Sequence, residues 1–186
     1  MRIASPDLLQ RYQRWRRVAE PGFWIALYLL QASVNSWLAW TDLQRTGVDT
    51  PFWAVAVWEW SSNLVLLALV PVVILAGQYR PLHLVFQRQN LRWHLAASVV
   101  YSLVHVAAMV ALRKLAYWSA GSHYDFGAWW RELPYEYLKD VRAYFLVLLA
   151  VGFYQLLLMR WQGEATLLGE PDEGPAVEPV EQPERF

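Results

Sequence analysis

Hydrophobic positions fall in four long runs that short polar stretches separate. Each run is at least about 19 residues long, close to the ~20 that a helix needs to cross ~30 Å of hydrocarbon. The runs cover residues 22–40, 52–78, 93–118 and 137–161. Tryptophan and tyrosine gather near their ends, as they do at membrane–water interfaces. The pattern predicts an all-α membrane protein in which residues 22–162 form a four-transmembrane-helix bundle.

The two flanks of this bundle differ in charge. In residues 1–21, apolar positions and arginines lie on opposite helical faces, which predicts an amphipathic basic helix on the membrane surface. Residues 163–186 are acidic and proline-rich, which predicts a disordered linker to a cytoplasmic domain absent from this chain, or else a plain disordered tail. A flank that only sets topology is the alternative for the first segment. Its expected membrane-surface residues are Arg11, Arg14, Arg16 and Arg17.

The amino-acid composition is typical of a membrane protein and does not identify a further partner. Hydrophobic residues make up 56% of the chain and aromatic residues 16%. Sixteen basic and sixteen acidic residues cancel, so net charge indicates no nucleic-acid partner, and there is no cysteine for a disulfide or a thiolate site. Basic residues concentrate before the first run, between the second and third, and at the exit of the fourth. The positive-inside rule therefore predicts that both termini are cytoplasmic, although Arg113, Lys114 and Arg131 oppose it.

Scarce polar residues recur at helical spacing within the apolar runs, which predicts that they share one interior seam. Glu59 raises the sharpest question, since a charge at mid-bilayer costs at least about 2.5–3.5 kcal/mol. It must be protonated, exposed to water, or paired with Arg113, His105 or Arg142. The expected polar cluster comprises Asn35, Glu59, Asn63, Tyr101, His105, Asp140, Arg142 and Tyr144.

Three roles remain open for this cluster: a structural hydrogen-bond network, a ligand- or proton-sensing pocket, and a transport pathway. Histidine favours the second role, because its ordinary pKa lies near neutrality. Transport is the weakest of the three, since no inverted repeat is visible. The connection between the third and fourth runs is rich in tryptophan and tyrosine. It predicts a short interfacial helix over the cluster, with Asp125 as N-cap and Pro134 as a break, or else an aromatic belt element.

Signatures of catalysis and of metal binding are missing from the sequence. There is no HExxH, Walker, GxSxG or GxGxxG motif, and the four histidines are scattered. The sequence therefore predicts no catalytic residues, no metal site and no cofactor.

Four segments carry a resemblance to a known family. They are WEWSSNLVLLALVP (58–71), SLVHVAAMVALRKL (102–115), YEYLKDVRAYF (135–145) and the exit QGEATLL…PDEGPAVEPVEQPERF. Together they resemble the four-span N-terminal region of membrane-anchored LytTR-type transcriptional regulators of Gram-negative bacteria. The resemblance implies a multi-pass protein of the bacterial inner membrane that passes a signal to a cytoplasmic LytTR DNA-binding domain in a longer chain. That domain is missing here, so this chain itself is expected to contact no nucleic acid.

Two other classes of function compete with this sensor or anchor module. A small transporter or a lipid-handling membrane protein would use the region of Glu59 and His105 as its site. A passive membrane scaffold would use the polar seam only to hold its helices together. Beyond the lipid bilayer, the expected partner is a second copy in a homodimer, although no GxxxG motif marks an interface.

Overall fold

The computed structural model describes residues 6–82 and 88–169, which form four α-helices and no strand. The helices are α1 (Pro6–Arg45), α2 (Phe52–Tyr79), α3 (Arg88–Ser119) and α4 (Trp129–Gly169). They run alternately up and down. We call the end with residues 46–51 and 120–128 the distal end. The opposite end, where α1 begins and α4 ends, is the proximal end.

Three of these helices, α2, α3 and α4, are long and apolar enough to cross a membrane. Only 17–39% of the residues in their most apolar windows are buried within the protein. The outward face of α4 is typical, because it exposes Leu146, Leu149 and Phe153 to more than half of their full extent. Apolar surface of this extent on three helices of spanning length indicates a membrane protein.

The helices do not pack as a symmetric bundle. α1 lies along α2 and meets α4 at few places, while α3 packs on both α2 and α4. Gly77 lets α2 and α4 approach closely, because a Cβ there would lie 2.9 Å from Leu148 Cδ2. Two interior clusters result, one in the proximal half and one in the distal half. They comprise Tyr28, Val70, Val73, Tyr101, Tyr144 and Val147 in the first, and Val106, Met109, Val110 and Tyr124 in the second.

The helix boundaries differ from the sequence-based ones at three places. α1 runs without interruption through Pro21, so the predicted surface helix and first apolar run are one helix. The segment 120–128 is a loop, and α4 begins at Trp129 and continues through Pro134. Asp125 is not the N-cap of α4, because the helix begins four residues later; its Oδ1 accepts a hydrogen bond from the amide of Gly127 at 2.9 Å within the loop. α4 also extends to Gly169, into the predicted linker, and the rest of that linker lies outside the described residues.

Pro134 lies near the start of α4 and leaves the carbonyl of Trp130, four residues earlier, without its helical donor. The loop before it folds back on the helices, and the Tyr124 side chain is buried against Val106, Met109 and Val110. The distal end is therefore covered by a packed loop, where the sequence suggested a short helix.

Candidate functional site

An acid–imidazole pair lies in the interior between α3 and α4. His105 Nδ1 is 2.8 Å from Asp140 Oδ1, and the two side chains are 1% and 2% exposed. The Nδ1–H bond of His105 does not point at Asp140 Oδ1, so the contact is mainly electrostatic. Water is excluded from both groups, and any change of protonation here acts in a low-dielectric medium.

Two serines complete this group, which we call the His105 cluster. Ser102 donates a hydrogen bond to Asp140 Oδ2 at 2.7 Å. Ser62 Oγ lies 3.2 Å from His105 Nε2. Ser102 and His105 are close to one helical turn apart on α3 and therefore face the same neighbours. The cluster thus joins α2, α3 and α4 through Ser62, Ser102, His105 and Asp140.

The contacts run in space from serine to imidazole to carboxylate, through Ser62, His105 and Asp140, as they do in a catalytic triad. Ser62, however, lies within α2, where the backbone amides of the surrounding residues are engaged in the helix. An oxyanion would therefore need donors from side chains, and the cluster supplies none besides its own members. The arrangement is suited to holding and redistributing a proton.

A second network, around Arg113, ties the distal loop to α2. The Arg113 guanidinium donates to Ser61 Oγ at 3.0 Å, to the Trp58 carbonyl at 2.8 Å and to the Tyr124 hydroxyl at 2.8 Å. Trp58 Nε1 in turn donates to the Tyr117 hydroxyl at 2.8 Å. All three acceptors of Arg113 are neutral, and its guanidinium also lies 5.6 Å from the centroid of the Tyr124 ring, so hydrogen bonds and a cation–π contact satisfy this partly buried cation without a carboxylate.

Glu59 has no charged partner in the part of the chain that the structure describes. Its carboxylate enters none of the ion pairs there, and only its backbone carbonyl is used, by Asn63 Nδ2 at 2.9 Å. Asn63 is 4% exposed, and its Oδ1 has no hydrogen-bond partner. The pairings considered for Glu59, with Arg113, His105 or Arg142, are absent. Arg113 and His105 are engaged elsewhere, and Arg142 is exposed.

The predicted cluster therefore separates into parts. Tyr101 and Tyr144 are buried and pack edge to face, with ring centroids 5.3 Å apart. Tyr144 binds His94 and not Asp140, since its hydroxyl lies 2.9 Å from His94 Nδ1. Asn35 is half-buried on α1. Arg142 points away because residues two apart on a helix lie on nearly opposite faces, and Asp140 faces inward.

His94 is a polar residue of the interior that the predicted cluster did not include. It is fully buried, and its Nε2 lies 2.7 Å from the Arg80 carbonyl. A carbonyl only accepts, so Nε2 carries a proton, and in the neutral ring Nδ1 accepts from the Tyr144 hydroxyl. His94 lies on the same helical face as Ser98, Ser102 and His105. This spacing is the sequence signal that could have placed it in the interior.

The proximal end has a polar cluster of its own, which we call the Glu20 cluster. Glu20 Oε1 accepts from Arg16 Nε at 2.5 Å and from the Tyr154 hydroxyl at 2.6 Å. The Tyr12 and Tyr154 hydroxyls lie 2.5 Å apart. Desolvation alone would raise the pKa of Glu20, but the hydrogen bonds from Tyr154 and Arg16 and the nearby positive charge lower it. This cluster ties α1 to α4.

Comparison with protein-family models, with curated proteins and with solved structures found no match to this chain. The interpretation of both clusters therefore depends on the residues of this chain.

The predicted membrane-surface arginines are all exposed on α1, and only Arg16 of the four is in an ion pair with a described residue. No group of three or more histidine, aspartate or glutamate side chains within residues 6–82 and 88–169 has the arrangement of a metal site. Sequence reasoning missed Ser62 and Ser102 as direct partners of the pair. It also missed the anchoring of Arg113 to the distal loop.

Proposed function

We propose that the chain is the membrane-embedded sensor and anchor module of a LytTR-type transcription regulator, and that its stimulus acts through the protonation of the His105 cluster. The observation that carries this proposal is the buried contact between His105 and Asp140, bridged by serines to α2 and α3. In a low-dielectric interior, adding or removing one charge changes the relative energies of two packing arrangements of the helices. A difference of a few kcal/mol is enough to change which arrangement is more populated.

The proposal includes a fourth span in α1. This helix has 40 residues, and its second half follows α2, with Tyr28, Ala32 and Ser36 buried against the other helices. With four spans, both termini lie on one side of the membrane. The exposed arginines of α1 favour the cytoplasmic side of a bacterial inner membrane.

The output passes through α4. This helix holds Asp140 near its distal part and extends to Gly169. A long helix moves as one body, so a change at Asp140 is carried to the proximal end. There the proposed cytoplasmic LytTR domain of a longer chain, working as a homodimer, receives it.

A distance measurement between two spin labels tests the sensor. The chain has no cysteine, so Tyr79→Cys on α2 and Met159→Cys on α4 introduce two specific labels at exposed positions near the proximal end. In liposomes, the distance distribution between them is expected to differ between pH 8 and pH 5. The difference should vanish in His105→Gln and persist in His123→Gln, which changes an exposed histidine of the distal loop.

A pH-independent distance in all three proteins contradicts the sensing role and favours the passive scaffold. For the regulator itself, cells carrying His105→Gln in the native gene should differ from wild type in their transcript profile, whereas cells carrying His123→Gln should not. Equal profiles, or pH-driven flux of a solute through the liposomes, count against the regulator.

A further inference from the structure

The proximal half of the protein contains a large cleft that the proposed function does not use. Its volume is about 720 Å³, within the range of roughly 300–1,000 Å³ typical of small-molecule sites. It lies between α1, α2 and α4, and the Glu20 cluster that ties α1 to α4 forms part of its lining. The lining is mainly apolar, with Trp24, Leu67, Val70 and Ile74 on the α1 and α2 sides and Val151 on α4.

One end of the cleft is polar. Tyr12, Arg16, Glu20 and Tyr154 all line it, and Gln78 lies at the same level. Arg16 binds Glu20 through Nε, and its two terminal nitrogens have no partner among the described residues. Glu20 receives both of its hydrogen bonds on Oε1, which leaves Oε2 free to accept. This end therefore offers two cationic donors beside one anionic acceptor.

The cleft opens sideways to lipid along its apolar part. Phe23 and Leu75 border it and are 59% and 63% exposed. An apolar space that is open to hydrocarbon in this way is filled by the hydrocarbon around it. The occupant therefore enters from the bilayer.

The length of the cleft matches one leaflet. From Leu67 to Gln78 the α2 wall rises by about 16 Å, at ~1.5 Å per residue, which is close to half of the ~30 Å hydrocarbon core. Pro21 and Pro71 lie in the walls, and each leaves a carbonyl one turn earlier without its helical donor.

We propose that this cleft binds one phospholipid of the adjoining leaflet, with an acyl chain between α1, α2 and α4 and the phosphate on the terminal nitrogens of Arg16. Glu20 Oε2 accepts from a hydroxyl or ammonium of the headgroup. Charge complementarity favours a phospholipid over an uncharged amphiphile, because the free donors at the polar end are cationic. The site goes beyond the proposed sensing function and does not depend on the His105 cluster.

Native mass spectrometry of the whole protein in detergent tests the site with two probes, phosphatidylglycerol and the diacylglycerol with the same chains. Wild type is expected to retain one phosphatidylglycerol in preference to diacylglycerol. Ala150→Phe fills the cleft from α4 and should lower retention of phosphatidylglycerol roughly tenfold, the effect of ~1.4 kcal/mol. Ala111→Phe, on an exposed position of α3, is the matched control and should retain lipid as wild type does.

The headgroup contact has a separate test. Arg16→Gln should lower retention of phosphatidylglycerol and leave that of diacylglycerol unchanged, whereas Arg17→Gln, which removes the same charge away from the cleft, should change neither. In addition, a phosphatidylglycerol with a diazirine near its acyl terminus should crosslink to peptides of α1, α2 and α4 that line the cleft. This readout needs no variant.

Equal retention in Ala150→Phe and Ala111→Phe, or crosslinks spread over all apolar faces, overturns the site. Equal retention of the two probes by wild type overturns the phosphate contact. If the mass spectrum shows a dimer without bound lipid, a second copy of the chain covers the cleft, and the proposal is overturned as well. None of these outcomes depends on the pH response of the labelled helices, so the site and the proposed function can fail separately.

Discussion

The two halves of the protein differ in how far their carboxylate clusters are withdrawn from solvent. In the distal half, His105 and Asp140 are closed off by helices on all sides, and the Arg113 network fastens the loop above them. In the proximal half, Glu20 and Arg16 are 37% and 46% exposed and stand at the mouth of an open cleft. Both halves use a carboxylate with hydroxyl partners, but only the distal carboxylate is fully withdrawn from solvent.

This difference predicts that the distal half is the more stable part of the protein and the proximal half the more mobile one. A buried pair is strongly unfavourable to break, because the remaining partner keeps its desolvation penalty. A half-exposed pair is screened and contributes little. The distal half should therefore open only with global unfolding, while α1 separates from α4 at lower free energy. The predictions below test that contrast.

The largest effect is expected from Asp140→Ala. It removes the carboxylate that faces the His105 imidazole and leaves the buried Ser102 hydroxyl without its acceptor, and removal of one partner of a buried pair costs about 3–5 kcal/mol. The measurement is the free energy of unfolding in mixed micelles titrated with SDS. Asp42→Ala is the control, because Asp42 pairs with Arg45 at 3.5 Å with both side chains more than 70% exposed. A loss for Asp140→Ala no larger than for Asp42→Ala would refute the contrast between buried and exposed pairs.

An intermediate effect is expected from Arg113→Gln. Glutamine has fewer donors, so the contacts to Ser61, Trp58 and Tyr124 cannot all be kept, and a loss of about 2 kcal/mol follows from hydrogen bonds to a charged group. The distal loop should also become more accessible, read as faster amide exchange in residues 120–128. Lys114→Gln removes a neighbouring exposed charge and should leave both quantities unchanged. Unaltered loop exchange in Arg113→Gln would show that the loop is held by packing alone.

Helical periodicity predicted much of this architecture. The all-helical fold is confirmed, as are three apolar helices long enough to cross a membrane. Helix α1 has its apolar run interrupted by Gln31 and Asn35, and it is the helix that length and composition do not mark as a span. The buried face of α1 is Tyr28, Ala32 and Ser36. Gln31 lies beside this face and is exposed.

The partners of the polar residues were harder to predict. The sequence placed His105 and Asp140 in one cluster, and they lie 2.8 Å apart. It also included Arg142, which the 100° turn per residue rotates away from Asp140. The rotation of a helix about its own axis is encoded locally, whereas the height at which two helices meet is set by packing along their whole length. The proximal cleft left no pattern in the sequence, because a gap between helices depends on their separation.

The smallest effect is expected from Tyr154→Phe, which removes one hydrogen bond to Glu20 and the contact with Tyr12. A bond to a carboxylate more than one-third exposed is screened, so the loss at pH 7 is about 1 kcal/mol or less. The pKa of Glu20 is lowered below its ordinary value of about 4.5 in the folded protein, so its stabilising contribution is present above that value. This contribution disappears as the pH falls through the lowered pKa. The difference between Tyr154→Phe and wild type, measured as amide exchange in the first half of α1, should therefore be visible at pH 7 and shrink near pH 4. A difference that is the same at both pH values would mean that Tyr154 holds α1 by packing and that Glu20 plays no part in the tether.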